Sequence, residues 1–253
     1  MKGLLLGKLP KINMIFSDPT NRTGIIELLE DFTNTQSDSA NSTSYSLARK
    51  TRDINNAYAH YVSLALKSCG IRQFQDTNQT NLPIDTLNLV SGQSLYDIKN
   101  DSLGNQILEL HQLRIKDQNN QWKTLEQIDR NSFDINQYQN ILGTPETYDL
   151  IENKVILYPT PDYNSTGGIE IFVSTTPTYF TTADTTKKPG IPEFHHEYLP
   201  IRASYFWYSL NMPNIALIYE KEMLRMEKDI TNHFSRRNKN VNDRITTESI
   251  NSI

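Results

Sequence analysis

TPETYDLIENKVILYPTP, residues 144–161, reads as two extended runs joined by a tight reversal and closed by two prolines. Tyr148, Leu150, Val155 and Leu157 offer apolar surface for a core. Residues 152–154, ENK, supply the reversal, with Asn153 suited to a positive φ. Pro145 donates no ladder hydrogen bond, and Pro159 with Pro161 is expected to stop the second strand, so pairing should stay confined between them.

Working outward, residues 82–180 hold short β-prone runs separated by Gly, Asn, Asp and Pro. The candidates are Ser94–Ile98, Ile107–Lys116, Trp122–Leu125, Glu146–Ile151, Val155–Tyr158 and Ile169–Ser174. DQNNQ, residues 117–121, joins the second to the third as another hairpin. Together they predict an antiparallel β domain over 80–185, either a small sandwich or a partly open barrel.

Helical periodicity flanks this domain. SLARKTRDINNAYAHYVSLALKSC, residues 46–69, lacks Gly and Pro and sets Leu47, Ile54, Tyr58, Tyr61 and Leu64 or Ala65 near one face, with Gly70 as its stop. Residues 191–210 form a second helix with Pro192 in its first turn and Pro200 as a kink or break. The third covers 214–237, where Ile215, Tyr219, Met223, Met226, Ile230 and Phe234 recur every three or four residues. The predicted fold is therefore α+β: an antiparallel helical bundle over 46–75 and 186–238 that carries the β domain as an insertion. Residues 1–45 read as a partly flexible arm with one short helical candidate at 24–32, and 239–253 as a polar tail, flexible until bound.

Composition narrows the function. No run approaches the roughly 18 apolar residues of a membrane span, and the apolar core of MKGLLLGKLP is too short for an export signal, so a soluble, non-exported chain is expected. One cysteine, Cys69, excludes an internal disulfide and a cysteine metal cluster. A net charge of −4 and a pI near 5.8 argue against a protein that grips phosphates over its whole surface.

Chemistry-bearing patterns are weak. GLLLGKL, residues 3–9, has a glycine spacing too short for a phosphate loop and Leu9 where a hydroxyl is needed. Glu193 and His196 have the i, i+3 spacing of carboxylate-bridged metal sites, yet there is no second Glu-x-x-His helix; polar residues opening a helix is the stronger reading. His60, alone on its helix, receives no role, and Tyr205, Phe206, Trp207 and Tyr208 wrap round a helix rather than form one stacking platform. Arg225, Lys228, Arg236, Arg237 and Lys239 gather toward the end of the last helix, where cations complement exposed carbonyls. These cations also carry the competing reading, a nucleic-acid-binding module. No catalytic residue, metal ligand or cofactor site is assigned.

LPIDTLNLVSGQSLYDI (82–98), TPETYDLIENKVILYPTPD (144–162), YFTTADTTKKPGIPEFHHEYL (179–199) and the long final helix with SRR (235–237) resemble the tailed-bacteriophage head-to-tail connector proteins, also called adaptor, neck or head-completion proteins, with podoviral tail tubular protein A as a relative. The resemblance spans roughly residues 46–240. It implies a non-enzymatic virion protein, made in the host cytoplasm and assembled as a ring, commonly twelvefold, beneath the portal. The implied partners are the portal protein, neighbouring copies, the next neck or tail protein, and double-stranded DNA passing through the channel. It further implies a portal-facing surface at Tyr219, Met223, Met226, Ile230, Phe234, Arg236 and Arg237, and a tail-side or inter-subunit surface at Tyr148, Tyr158 and Tyr163. An acidic balance would suit a channel through which DNA slides.

Overall fold

The computed structural model describes residues 14–36, 44–69, 84–128 and 141–242. Two compact units emerge, one of residues 1–70 and 177–253, the other of residues 71–176. Helices occupy the first and strands the second, in keeping with the α+β expectation.

The strands of the second unit are β1 (Ile84–Leu89), β2 (Leu95–Asp97), β3 (Ile107–Lys116), β4 (Trp122–Gln127), β5 (Leu142–Gly143), β6 (Thr147–Ile151), β7 (Lys154–Tyr158), β8 (Thr160–Pro161) and β9 (Ser165–Thr175). Seven form one sheet in the order β1-β9-β3-β4-β6-β7-β2, curled into a half-barrel, while β5 and β8 pair separately. The open-barrel alternative is thus the one realised. The sheet is mixed rather than wholly antiparallel, because β4 and β6 run parallel through Glu126↔Thr147 and Gln127↔Tyr148. The chain between these strands is long enough for the crossover that a parallel pair requires. Alternation puts Leu113, Ile115, Val155, Leu157, Ile169 and Ile171 into a single buried cluster.

Both expected hairpins form. Asp117 closes the β3–β4 turn by accepting the Asn119 and Gln121 amides at 2.8 Å each, with Asn120 at φ 60°. The β6–β7 reversal contains only Glu152 and Asn153, since Ile151 pairs with Lys154. The left-handed residue is Glu152, at φ 54°, rather than Asn153. Asn153 instead offers its carbonyl to the Ile98 amide at 2.8 Å, which fixes β2 beside β7. Strand β7 ends at a cis Tyr158–Pro159 bond, yet pairing resumes at once. The Thr160 amide donates to the Ile141 carbonyl at 2.9 Å, and the Pro161 carbonyl accepts the Gly92 amide at 2.8 Å. Proline lacks the donor but keeps the acceptor, so it ends one ladder without ending all pairing.

The helical unit contains α1 (Ile25–Thr33), α2 (Leu47–Cys69), α3 (Tyr198–Asn211) and α4 (Pro213–Asn242). Ile54, Tyr58, Tyr61 and Ala65 on α2 are fully buried, as their spacing predicts, whereas Leu47 is exposed. The expected helix over 191–210 is split into a 3-10 turn at Glu193–His195 and then α3. Pro200 is the third residue of α3, where a missing N–H leaves no intrahelical bond unmade, so it opens the helix instead of kinking it. Pro213 likewise opens α4, which continues to Asn242, past the expected end at 237.

Residues 14–36, part of the expected arm, pack into this unit. Phe16 stacks on Phe180 at 4.6 Å, and the Phe16 and Ser17 amides donate to the Lys187 and Thr185 carbonyls at 2.7 and 3.0 Å. Ile25, Ile26 and Leu29 of α1 are buried. Residues 177–185 also belong here rather than to the β unit. The stretch at 3–9, Gly70, the Cys69 side chain and residues 243–253 lie outside the described residues.

Candidate functional site

On α4 the predicted contact stripe faces inward. Met223, Met226, Ile230 and Phe234 are buried, and Tyr219 is half-buried, its hydroxyl donating to the Phe32 carbonyl at 3.0 Å. These side chains form the unit's own core, because a 3.6-residue period marks the face that packs first against neighbouring helices of the same chain. The side chains of Arg236 and Arg237 lie outside the described ones. On the β unit, Tyr148 and Tyr158 are buried, and Tyr163 is half-buried with its hydroxyl donating to the Lys116 carbonyl at 2.6 Å.

The surface left over is on the opposite side of α4 and at the α3–α4 turn. Leu210 is 77% exposed and Met212 49%, while Leu217, Ile218 and Leu224 are 57%, 60% and 54% exposed. Leu217, Lys221, Leu224 and Lys228 follow one another at i, i+4, i+7 and i+11, so they form one line along the helix. Arg225 beside them is already committed, pairing with Glu222 and, at 2.9 Å, with Asp229. The regular apolar period of α4 marks its inward stripe and carries no signal for this exposed one.

Clusters of titratable groups lie inside the helical unit. Tyr61 OH is 2.6 Å from His195 Nδ1, with His233 and Phe194 packed against the same imidazole. Burial, then the neighbouring His233 and His196, push the His195 pKa down to about 4, so the ring is neutral near pH 7. His196 is buried with Nε2 2.9 Å from the Ile191 carbonyl, whereas Glu193 is exposed; the pair does not converge on a metal site. His60 Nδ1 sits 2.8 Å from Tyr198 OH, whose hydrogen bond to Glu227 at 2.9 Å is shared by Arg202 at 2.8 Å. This links α2, α3 and α4 through one carboxylate and acts as cross-bracing.

In the β unit, His111 Nε2 lies 2.7 Å from Ser174 Oγ, and Glu109 is 4.0 Å from Nδ1. The order resembles a nucleophile, base and orienting acid. Ser174 is fully buried, however, so no substrate carbonyl reaches its oxygen. Among the described residues no group of three or more His, Cys, Asp or Glu is placed to hold a metal ion. Nor is any described helix long and apolar enough to cross a membrane.

What the arrangement offers is surface: an apolar corner and a leucine–lysine strip on a braced helical unit. No curated protein matches the chain. The family model of the SU10 adaptor protein matches residues 26–239, and the chain therefore belongs to this family of bacteriophage head-to-tail adaptors.

Proposed function

We propose that this chain is a structural component of the virion neck, forming a ring between portal and tail with twelve copies as the expected number. The ring extends the DNA channel and helps retain the packaged genome; no reaction is catalysed. Family membership supports the adaptor role. The observation that carries the docking part is the exposed apolar corner of Leu210, Met212, Leu217 and Ile218, beside helices whose inward faces are already filled. Contiguous apolar surface of this kind marks protein–protein contact. Contacts that join unlike faces and close by rotation build a ring without needing a pocket.

In this reading α4 and the residues after it face the portal, through the outer side of the helix, and the β unit faces the next ring or tail component. Exposed Leu142, Leu108 and Trp122 are among the apolar groups available on that unit, whereas Tyr148 and Tyr158 support its core. The competing nucleic-acid reading loses Arg225, whose charge is neutralised within its own helix. Electron microscopy of intact particles tests the proposal. A ring of this chain at the head–tail junction is expected; its absence from purified particles overturns it.

A further inference from the structure

Lys221 and Lys228 differ from Arg225, which also stands exposed on α4. Arg225 has acids three residues before it and four after it, and pairs with both. Lys221 has Leu217, Ile218, Leu224 and Arg225 at its i±3 and i±4 positions, and Lys228 has Leu224, Arg225, Thr231 and Asn232. The acids adjacent in sequence, Glu220 and Glu222 for Lys221 and Glu227 and Asp229 for Lys228, leave the helix about 100° away, and neither lysine makes an ion pair among the described residues. Two cations outside any ion pair among the described residues stand on a chain whose net charge is −4.

Leu217 and Leu224, which alternate with them along the helix, are more than half exposed, so the lysine stems do not cover them. The four side chains fall within about 60° of one another around the helix and extend about 16 Å along it. A narrow line of this length, apolar and cationic by turns, matches the side of a second helix that carries apolar residues flanked by carboxylates.

We infer that the Leu217–Lys221–Leu224–Lys228 strip docks an acidic amphipathic helix of a different protein. This deepens the adaptor reading and rests on it for the existence of such a partner in the neck. A second copy does not fit the strip by self-pairing, because two copies of it bring together only leucines and lysines and supply no carboxylate to the cations. Duplex DNA fits it poorly, because phosphates would take the cations and leave the two leucines facing polar backbone.

The test uses the full chain and three probes: a synthetic helical peptide with leucines flanked by glutamates, the same peptide with lysines for glutamates, and a duplex oligonucleotide. Fluorescence anisotropy at low and physiological salt reads the binding. The glutamate peptide should bind more tightly than either other probe, and more weakly as salt rises. Leu217→Ser with Leu224→Ser should weaken it about tenfold or more. Lys221→Glu with Lys228→Glu should reverse the preference toward the lysine peptide. All four positions are exposed, so these variants keep the core, and circular dichroism checks that they fold. No binding, equal binding of both peptides, tighter binding of the duplex, or concentration-dependent self-association abolished by the lysine reversal would each overturn the inference. Particle localisation of the unaltered protein tests the adaptor reading separately, so that reading survives a failure here.

Discussion

Lys50 of α2 reaches α1, placing its Nζ 2.9 Å from Glu30 Oε1 and 3.1 Å from the Thr35 carbonyl, although its side chain is only 6% exposed. A buried ammonium tolerates this position only with both partners present. Replacing it by Met keeps much of the stem but strands the Glu30 carboxylate among fewer donors; Arg22 still lies 3.6 Å away. Lys50→Met should cost about 1–3 kcal/mol, and Glu30→Ala, which leaves the buried cation short of its counter-charge, about 3 kcal/mol or more. Urea denaturation of both variants checks the order.

Phe16 is where the N-terminal segment joins the helical unit, stacked on Phe180 and almost fully buried. Phe16→Ala should cost about 3–4 kcal/mol. It should also speed proteolytic cleavage near residues 14–24 under native conditions. A segment that lay on the surface as a loose arm would show neither effect.

The two sides of α4 should respond oppositely. Met226→Ala and Ile230→Ala remove buried groups and should each cost about 2–5 kcal/mol. Leu217→Ser and Ile218→Ser should change the stability of the isolated chain by less than about 0.5 kcal/mol, yet reduce its incorporation into particles. Thermal melts and quantitative mass spectrometry of purified particles separate the two effects.

Burial lowers the pKa of His195 from 6.5 to about 4, so the unfolded chain takes up this proton at a higher pH than the folded one. Its contribution is fully present above pH 6.5 and is lost as pH falls from there toward 4, up to about 3 kcal/mol. His60, His111 and His196 are shifted the same way by burial and add to the slope. His195→Gln should flatten the fall in stability between pH 6.5 and 4 without abolishing it, as measured by denaturation at a series of pH values.

Glu152 occupies a left-handed conformation in the two-residue β6–β7 reversal. A side chain there costs roughly 1 kcal/mol that glycine does not incur. Glu152→Gly should therefore stabilise the protein by up to about 1 kcal/mol in thermal denaturation, while Asn153→Gly should not.

Local rules carried much of the architecture. Alternation set the limits of β3 unaided, and an unbroken helical period set α2 nearly so, because each depends on neighbours along the chain. Asp117 and the asparagines after it specified a turn for the same reason. What the sequence could not rank was packing between distant segments. The parallel seam of β4 with β6, the return of Phe16 to Phe180, and the reach of Lys50 to Glu30 all join residues whose spacing carries no periodic signal. The proposed docking surface was hidden for a related reason: the apolar stripe of α4 was legible, but only tertiary packing decided that the bundle itself consumes that stripe. Leu217 and Leu224 are left outside because an amphipathic helix gives one face to its own fold and leaves the other exposed.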